Sequence, residues 1–101
     1  MAVILQIRWE GVTPKQYDDL TERANWYGNP TEGGIFHAAW FEKDGLHVFD
    51  LWESREHFHR FFENQVLPHL SGDMPSNRPS LDFRPLHAVS NDEAKRMKRS
   101  A

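Results

Sequence analysis

The stretch Val48-Phe49-Asp50-Leu51-Trp52-Glu53-Ser54-Arg55-Glu56-His57-Phe58 constrains the fold more than any other part of the chain. Its first half alternates side chains between two faces, as a strand does, and Ser54 is placed to accept from the free N–H groups of a helix that follows at once. Phe49 and Leu51 share one strand face, while Asp50 and Trp52 share the other. A carboxylate beside an indole is costly to bury unless something pairs with the charge. The second face therefore reads as the lining of a cavity.

The flanking segments extend this pattern. Met1 to Trp9 alternates cleanly, with Val3, Leu5, Ile7 and Trp9 on one side and Ile4, Gln6 and Arg8 on the other, which predicts a strand with one wholly apolar face. Val12-Thr13-Pro14 opens a helix: Thr13 caps it, Pro14 takes the first helical position, Gln16 completes a capping box, and Val12 can staple onto Tyr17. Tyr17, Leu20 and Ala24 continue at helical spacing, and the helix is expected to stop near Gly28.

Residues 35–42 and 46–53 read as two strands of a hairpin that turns at Asp44-Gly45. That turn sets Phe41 opposite Val48, Ala39 opposite Asp50 and His37 opposite Trp52, so His37 shares a face with Trp52 and lies close to Asp50. Beyond Ser54, the residues Phe58, Phe61, Phe62, Val66 and Leu70 form an apolar helical stripe that Pro68 kinks or ends. Residues 71–80 are a loop, first an idle connection and alternatively a lid. Residues 81–89 form a last strand, confined to a sheet edge because Pro85 has no N–H.

Strand, helix, strand, strand, helix, strand is the split βαβ or ferredoxin-like order, an α+β fold with a four-stranded antiparallel sheet. Right-handed crossovers put both helices on one face. With the apolar faces of the first and third strands under the helices, the bare face carries Ile4, Gln6, Arg8, His37, Ala39, Phe41, Val48, Asp50, Trp52, Phe83 and His87. Such a face is too aromatic for water and too polar for a plain core. Two copies packed face to face would enclose it, so a homodimer is the expected working unit.

At 101 residues the chain is expected to make one domain over 1–89, followed by a flexible charged tail over 90–101. Lys95, Arg96, Lys98 and Arg99 lie in that tail, which leaves the body more acidic than the overall charge of −3 and argues against a nucleic-acid partner. No run approaches about 18 consecutive apolar residues, and no basic-then-apolar leader opens the chain, so a soluble cytoplasmic protein without membrane association is expected. The absence of cysteine excludes disulfide and thiolate chemistry. Gly33-Gly34 precedes a strand rather than a helix, which leaves a nucleotide cofactor unsupported.

The six-element order, together with Asp50-Leu51-Trp52-Glu53-Ser54 followed by Phe58, resembles the dimeric α+β barrel superfamily. Within it, the chain is most similar to proteins akin to the antibiotic-biosynthesis monooxygenase family. That resemblance covers residues 1–89 and implies a ferredoxin-like homodimer. Its members include cofactor-independent oxygenases, haem-degrading enzymes and proteins without assigned chemistry. By the same resemblance, Trp52 matches the strand tryptophan that lines the cavity in some oxygenases. The asparagine and helix histidine of the haem-degrading branch are not matched in this chain, which speaks against haem, and no cofactor is expected.

The candidate catalytic residues are His37, Asp50 and Arg8. An imidazole oriented by a carboxylate has a fixed tautomer and a usable base on its other nitrogen. The same pair could equally be a hydrogen-bonded interface pair. Arg8 would neutralise Asp50 or bind a substrate anion, and Arg8 or Gln6 would stabilise an oxyanion. Gln6, Phe41, Trp52 and His87 are the candidate ligand-binding residues, His87 only if the last strand turns Phe83 and Pro85 inward. His37, Asp50 and His87 would make a two-histidine, one-carboxylate metal set, but their spacing carries no metal signature and no metal is expected. His57, His59 and His69 are expected on the surface, and Trp9, Trp26 and Trp40 in packing.

The leading function is binding of a small apolar or aromatic molecule, with proton abstraction by His37 if the protein is an enzyme. Cofactor-independent oxygenation is one such chemistry; isomerisation and lyase reactions are others. The alternative is a non-catalytic binding or interaction protein in which these residues only satisfy one another across the dimer interface.

Overall fold

A computed structural model describes residues 1–26, 31–70 and 72–90. Strand β1 spans Val3–Glu10, helix α1 Pro14–Arg23, β2 Gly34–Glu42, β3 Gly45–Trp52, α2 Arg55–Phe61 and β4 Ser80–Pro85. The four strands make one antiparallel sheet in the order β2-β3-β1-β4. This is the ferredoxin-like arrangement, and β4, with Pro85 at its end, lies at an edge where a missing donor is tolerated. Of the proposed tail, residues 91–101 lie outside the described part of the chain, as does Gly28. Among the described residues, no helix is long and apolar enough to cross a membrane.

Both helices begin where capping chemistry places them. Thr13 accepts from the Gln16 N–H at 3.2 Å while the Gln16 side chain accepts from the Thr13 N–H at 3.0 Å, and Val12 and Tyr17 share one core cluster. Helix α1 ends earlier than its pattern suggested, at Arg23, because Asn25 takes a left-handed φ of 49° and carries the chain away from the helix axis. Ser54 accepts from the His57 N–H at 3.1 Å and starts α2. Pro68 supplies no N–H and crowds the preceding turn, and the chain answers with a π-helical turn over Phe62–Val66 and a 3-10 turn over Leu67–His69.

The hairpin register differs from the expected one by two residues. Glu42 pairs with Gly45, so Lys43 and Asp44 form the turn, and His37 sits directly opposite Asp50 instead of Trp52. Gly45 is needed in the strand itself: its φ is 134°, and a Cβ there would lie 2.6 Å from the Trp9 carbonyl oxygen and 2.7 Å from the Gly11 nitrogen. A two-residue slip leaves every side chain on the same face. His37, Ala39, Phe41, Val48, Asp50 and Trp52 thus still share one side.

That side, however, is the helix-covered one. Val3 pairs with Trp52, Leu5 with Asp50, Ile7 with Val48 and Trp9 with Leu46, which puts the Asp50 and Trp52 face level with the apolar face of β1. Phe83 joins it through its pairing with Leu5. Helices α1 and α2 close over this side, burying Tyr17 against Trp9, Leu46 and Val48, and Phe58 against Val3, Leu5 and Trp52. The expectation that Ala39, Phe41, Val48, Asp50, Trp52, Phe83 and His37 face away from the helices is therefore corrected. Directly opposed residues of an antiparallel pair share a face, and the β1–β3 pairing decides which residues those are. Ile4, Gln6 and Arg8 do lie on the helix-free side, level with Leu51, Phe49 and His47 of β3, beyond which lie Phe36, Ala38 and Trp40 of β2.

The described residues of the loop that precedes β4 are bonded to the body of the domain. Trp9 donates its indole N–H to the Asn77 carbonyl at 3.0 Å, Gln16 donates to the Asp73 carbonyl at 2.6 Å, and Met74 packs on the Trp9 cluster. These bonds tie it to the corner between β1 and α1.

Candidate functional site

Burial of Asp50 is the central fact of the site. Its side chain is 2% exposed, in the middle of the sheet and beneath the helices. An isolated charge there would cost several kcal/mol. Two donors offset that cost: the Trp52 indole N–H reaches Oδ2 at 3.0 Å and His37 Nδ1 stands 2.6 Å from Oδ1. Among the described residues, no buried side-chain nitrogen or oxygen lacks a hydrogen-bond partner.

The bonds to Asp50 settle the imidazole. A carboxylate only accepts, so Nδ1 of a neutral His37 carries the proton and Nε2 is the acceptor. Tyr17 fills that place, with its hydroxyl 2.6 Å from Nε2. The result is a continuous chain of four polar groups from α1 to β3: phenol, imidazole, carboxylate and indole. Tyr17 comes from the first turn of α1, where the capping box and the Val12 contact hold it; Asp50 and Trp52 come from alternate positions of β3. Sequence reasoning placed Tyr17 in the core only. Its signal was its position one residue past the capping Gln16, on the helix face that meets the sheet.

Aromatic rings frame the chain. Trp26 lies 4.4 Å from the His37 ring, centroid to centroid, and 4.8 Å from Phe61, while Phe61 lies 5.4 Å from Trp52. Phe41 meets the edge of Tyr17 at 6.0 Å. Beside these rings opens a cleft of about 570 Å³, lined by Tyr17, Trp26, His37, Ala39, Phe41 and Trp52, with Asp18 and Thr31 at its rim. A cleft of that size accommodates a small organic molecule. A second, more polar cleft of about 360 Å³ adjoins it across Trp26 and Thr31, between His57, Arg60 and Asn64. His57 is half-buried there, not on the open surface, with its Nδ1 2.6 Å from the Ser54 hydroxyl.

The structure brings together four of the residues singled out from the sequence and separates three. His37, Asp50, Trp52 and Phe41 converge. Arg8 and Gln6 point to the opposite face of the sheet, so neither neutralises Asp50 nor faces the cleft. His87 follows the end of β4, is exposed, and belongs to the edge opposite to β2, so it does not join the site. Trp26, expected to serve in packing, lines the cleft. Among the described residues, no three His, Asp or Glu side chains gather as a metal-binding group.

No family model matches the chain, and no curated protein matches it in sequence. Solved structures do. A conserved protein from Methanosarcina mazei Go1 superposes with a TM-score of 0.56 at 14% identity, over 83% of this chain and 92% of that one. SnoaB, a cofactor-independent oxygenase from Streptomyces nogalater, superposes with a TM-score of 0.52 at 16% identity, over 87% of this chain and 94% of its own; a point mutant of SnoaB gives 0.53 at the same identity and coverage. The chain thus carries the ferredoxin-like α+β fold that it shares with these proteins, the cofactor-independent oxygenase SnoaB among them.

Proposed function

We propose that the protein is a homodimer that binds a small, largely apolar or aromatic molecule in the cleft between its sheet and α1, and abstracts a proton from it. The observation that carries this reading is the Tyr17–His37–Asp50–Trp52 chain on the wall of a cleft otherwise lined by aromatic rings. A carboxylate behind an imidazole fixes its orientation and tautomer, and the surrounding rings offer a planar ligand surfaces to stack on. The fold shared with a cofactor-independent oxygenase supports chemistry in which the deprotonated ligand itself reacts onward, with dioxygen as one partner. The absence of cysteine accords with a cytoplasmic setting.

Dimerisation is supported by the helix-free face. Phe36 and Trp40 are 52% and 44% exposed there, and Phe49 and Leu51 lie between them and β1. A second copy would cover these rings. The idea that His37 and Asp50 serve only as interface partners has no geometry to support it, since both lie on the other face.

A second reading, a ligand-binding protein without turnover, is favoured by the engagement of both His37 ring nitrogens. One experiment separates the two. In a thermal-shift screen of aromatic metabolites followed by product analysis, proton abstraction predicts hits that are turned over by the wild type and left unchanged by His37→Ala. Hits that bind without reacting favour the second reading, and a screen in which no aromatic compound raises Tm sinks both.

A further inference from the structure

We propose that the polar cleft beside Trp26 receives a carboxylate: the ligand is an aromatic carboxylic acid whose rings lie in the larger, aromatic cleft and whose acid group reaches past Trp26 to Arg60. This rests on the proposed binding of an aromatic molecule in the larger cleft and extends it to the smaller one. Trp26 and Thr31 line both clefts. The Trp26 ring stands between His37, which lines the larger, and Phe61, which lines the smaller, at 4.4 and 4.8 Å. A ligand long enough to pass Trp26 enters both.

One face of α2 and of the turn after it builds the smaller cleft. His57, Arg60, Phe61 and Asn64 follow at the spacing that puts side chains on the same side of a helix. The His57 part of this wall is held firmly: the Ser54 hydroxyl engages its Nδ1 at 2.6 Å, and the backbone of Gly33, at a φ of 80°, comes so close to the imidazole that a Cβ there would overlap it. The side-chain amides of Asn64 and Gln65, by contrast, make no hydrogen bond with any described residue.

Charge decides which end of a ligand goes where. Among the described residues that line the two clefts, Arg60 is the one arginine or lysine, whereas the larger cleft has Asp18 at its rim and Asp50 behind His37. An anionic group is disfavoured at the His37 end and attracted across Trp26. Arg60 is open to it, since its partner Glu32 stands 3.9 Å away and the two side chains are 59% and 85% exposed. A pair so long and so wet holds its members weakly, while a carboxylate that faces the guanidinium fork gains two short, charge-assisted hydrogen bonds. The neighbouring amides can donate to the lone pairs that the fork leaves open.

The test is calorimetric titration of the full-length protein with three probes: 2-naphthol, 4-(2-naphthyl)butanoic acid, and the primary amide of that acid, which has the same length and no charge. The proposal predicts that 2-naphthol binds, that it displaces the acid in competition, and that the acid binds about tenfold more tightly than the amide. Arg60→Gln should abolish that preference while keeping the amide within about threefold of its wild-type Kd. Glu32→Gln, which releases the guanidinium, should tighten the acid by about threefold and leave the amide unchanged. Equal affinities for acid and amide in the wild type, a preference that survives Arg60→Gln, an acid that Glu32→Gln does not tighten, or an acid that 2-naphthol does not displace would each overturn the carboxylate site while the aromatic cleft stands. Equal weakening of acid and amide in Arg60→Gln would give the arginine a role in the shape of the cleft alone and overturn it too. Failure of 2-naphthol to bind would instead overturn the reading of the larger cleft as an aromatic site, and the carboxylate site with it.

Discussion

The two faces of the sheet are built from the same strands by alternation, yet they handle polarity in opposite ways. On the helix-covered face a buried acid, phenol and indole and a half-buried imidazole are bonded to one another. On the helix-free face the polar groups reach water or the rim: Gln6 and Arg8 are exposed, while the half-buried His47 leans on the exposed Asp44 at 2.7 Å and stacks on Trp40 at 5.3 Å. The apolar residues are distributed the other way from naive expectation, since Phe36 and Trp40 are left outside while Asp50 is taken inside. Burial here follows from whether a group can be satisfied, not from its polarity alone.

The sharpest way to break this contrast is to remove the acid. Asp50→Ala strips the acceptor from both the His37 ring and the Trp52 indole and should cost about 3–5 kcal/mol in urea unfolding. Arg8→Ala, on the other face, should stay within about 0.5 kcal/mol. Equal effects would mean that the buried chain contributes nothing special. Next comes the outer face. Trp40→Glu should weaken self-association by about 30-fold or more in sedimentation equilibrium while changing the unfolding of the protomer little. A protein that is monomeric from the outset would remove that face from the proposal.

A smaller effect is expected at the roof of the inner face. Thr13→Ala deletes one half of the capping box over Tyr17 and should cost about 1 kcal/mol in the same unfolding measurement. The smallest effect is one of pH. Hydrogen bonds from its own backbone N–H, and then from Ser54, hold the Glu56 carboxyl below its ordinary range at the start of α2. A carboxyl whose value is depressed in the folded state contributes stability above the unfolded value and loses it as pH falls through the folded one. The Tm difference between wild type and Glu56→Gln should therefore be present at neutral pH and vanish in acid; a difference that grows in acid would contradict the assignment.

Local chemistry was legible in the sequence where it depends on a few neighbouring residues. Thr13-Pro14 with Gln16, and Ser54 before Arg55, announce both helix starts because a cap needs only its own side chain and an N–H two or three residues on. Pro85 marked its strand as an edge for an equally local reason. The alternation of β3 placed Asp50 with Trp52, and the short hairpin kept His37 on their side even though its register was off by two. The joint presence of these groups followed from strand periodicity alone.

Which side they occupy did not follow. Strands β1 and β3 pair although a whole helix and a whole strand separate them along the chain, and no local signal says whether Leu5 faces Asp50 or Phe49. That single choice moved the candidate site from between two molecules to beneath the chain's own helices, discarded Arg8 and Gln6, and brought in Tyr17 and Trp26. The sequence by itself determined the order of the elements, their caps and the grouping of His37, Asp50 and Trp52, because each depends on interactions between near neighbours. The tertiary structure alone decided what covers that group, because pairing parity between distant strands is set by the packing of the whole sheet against α1 and α2.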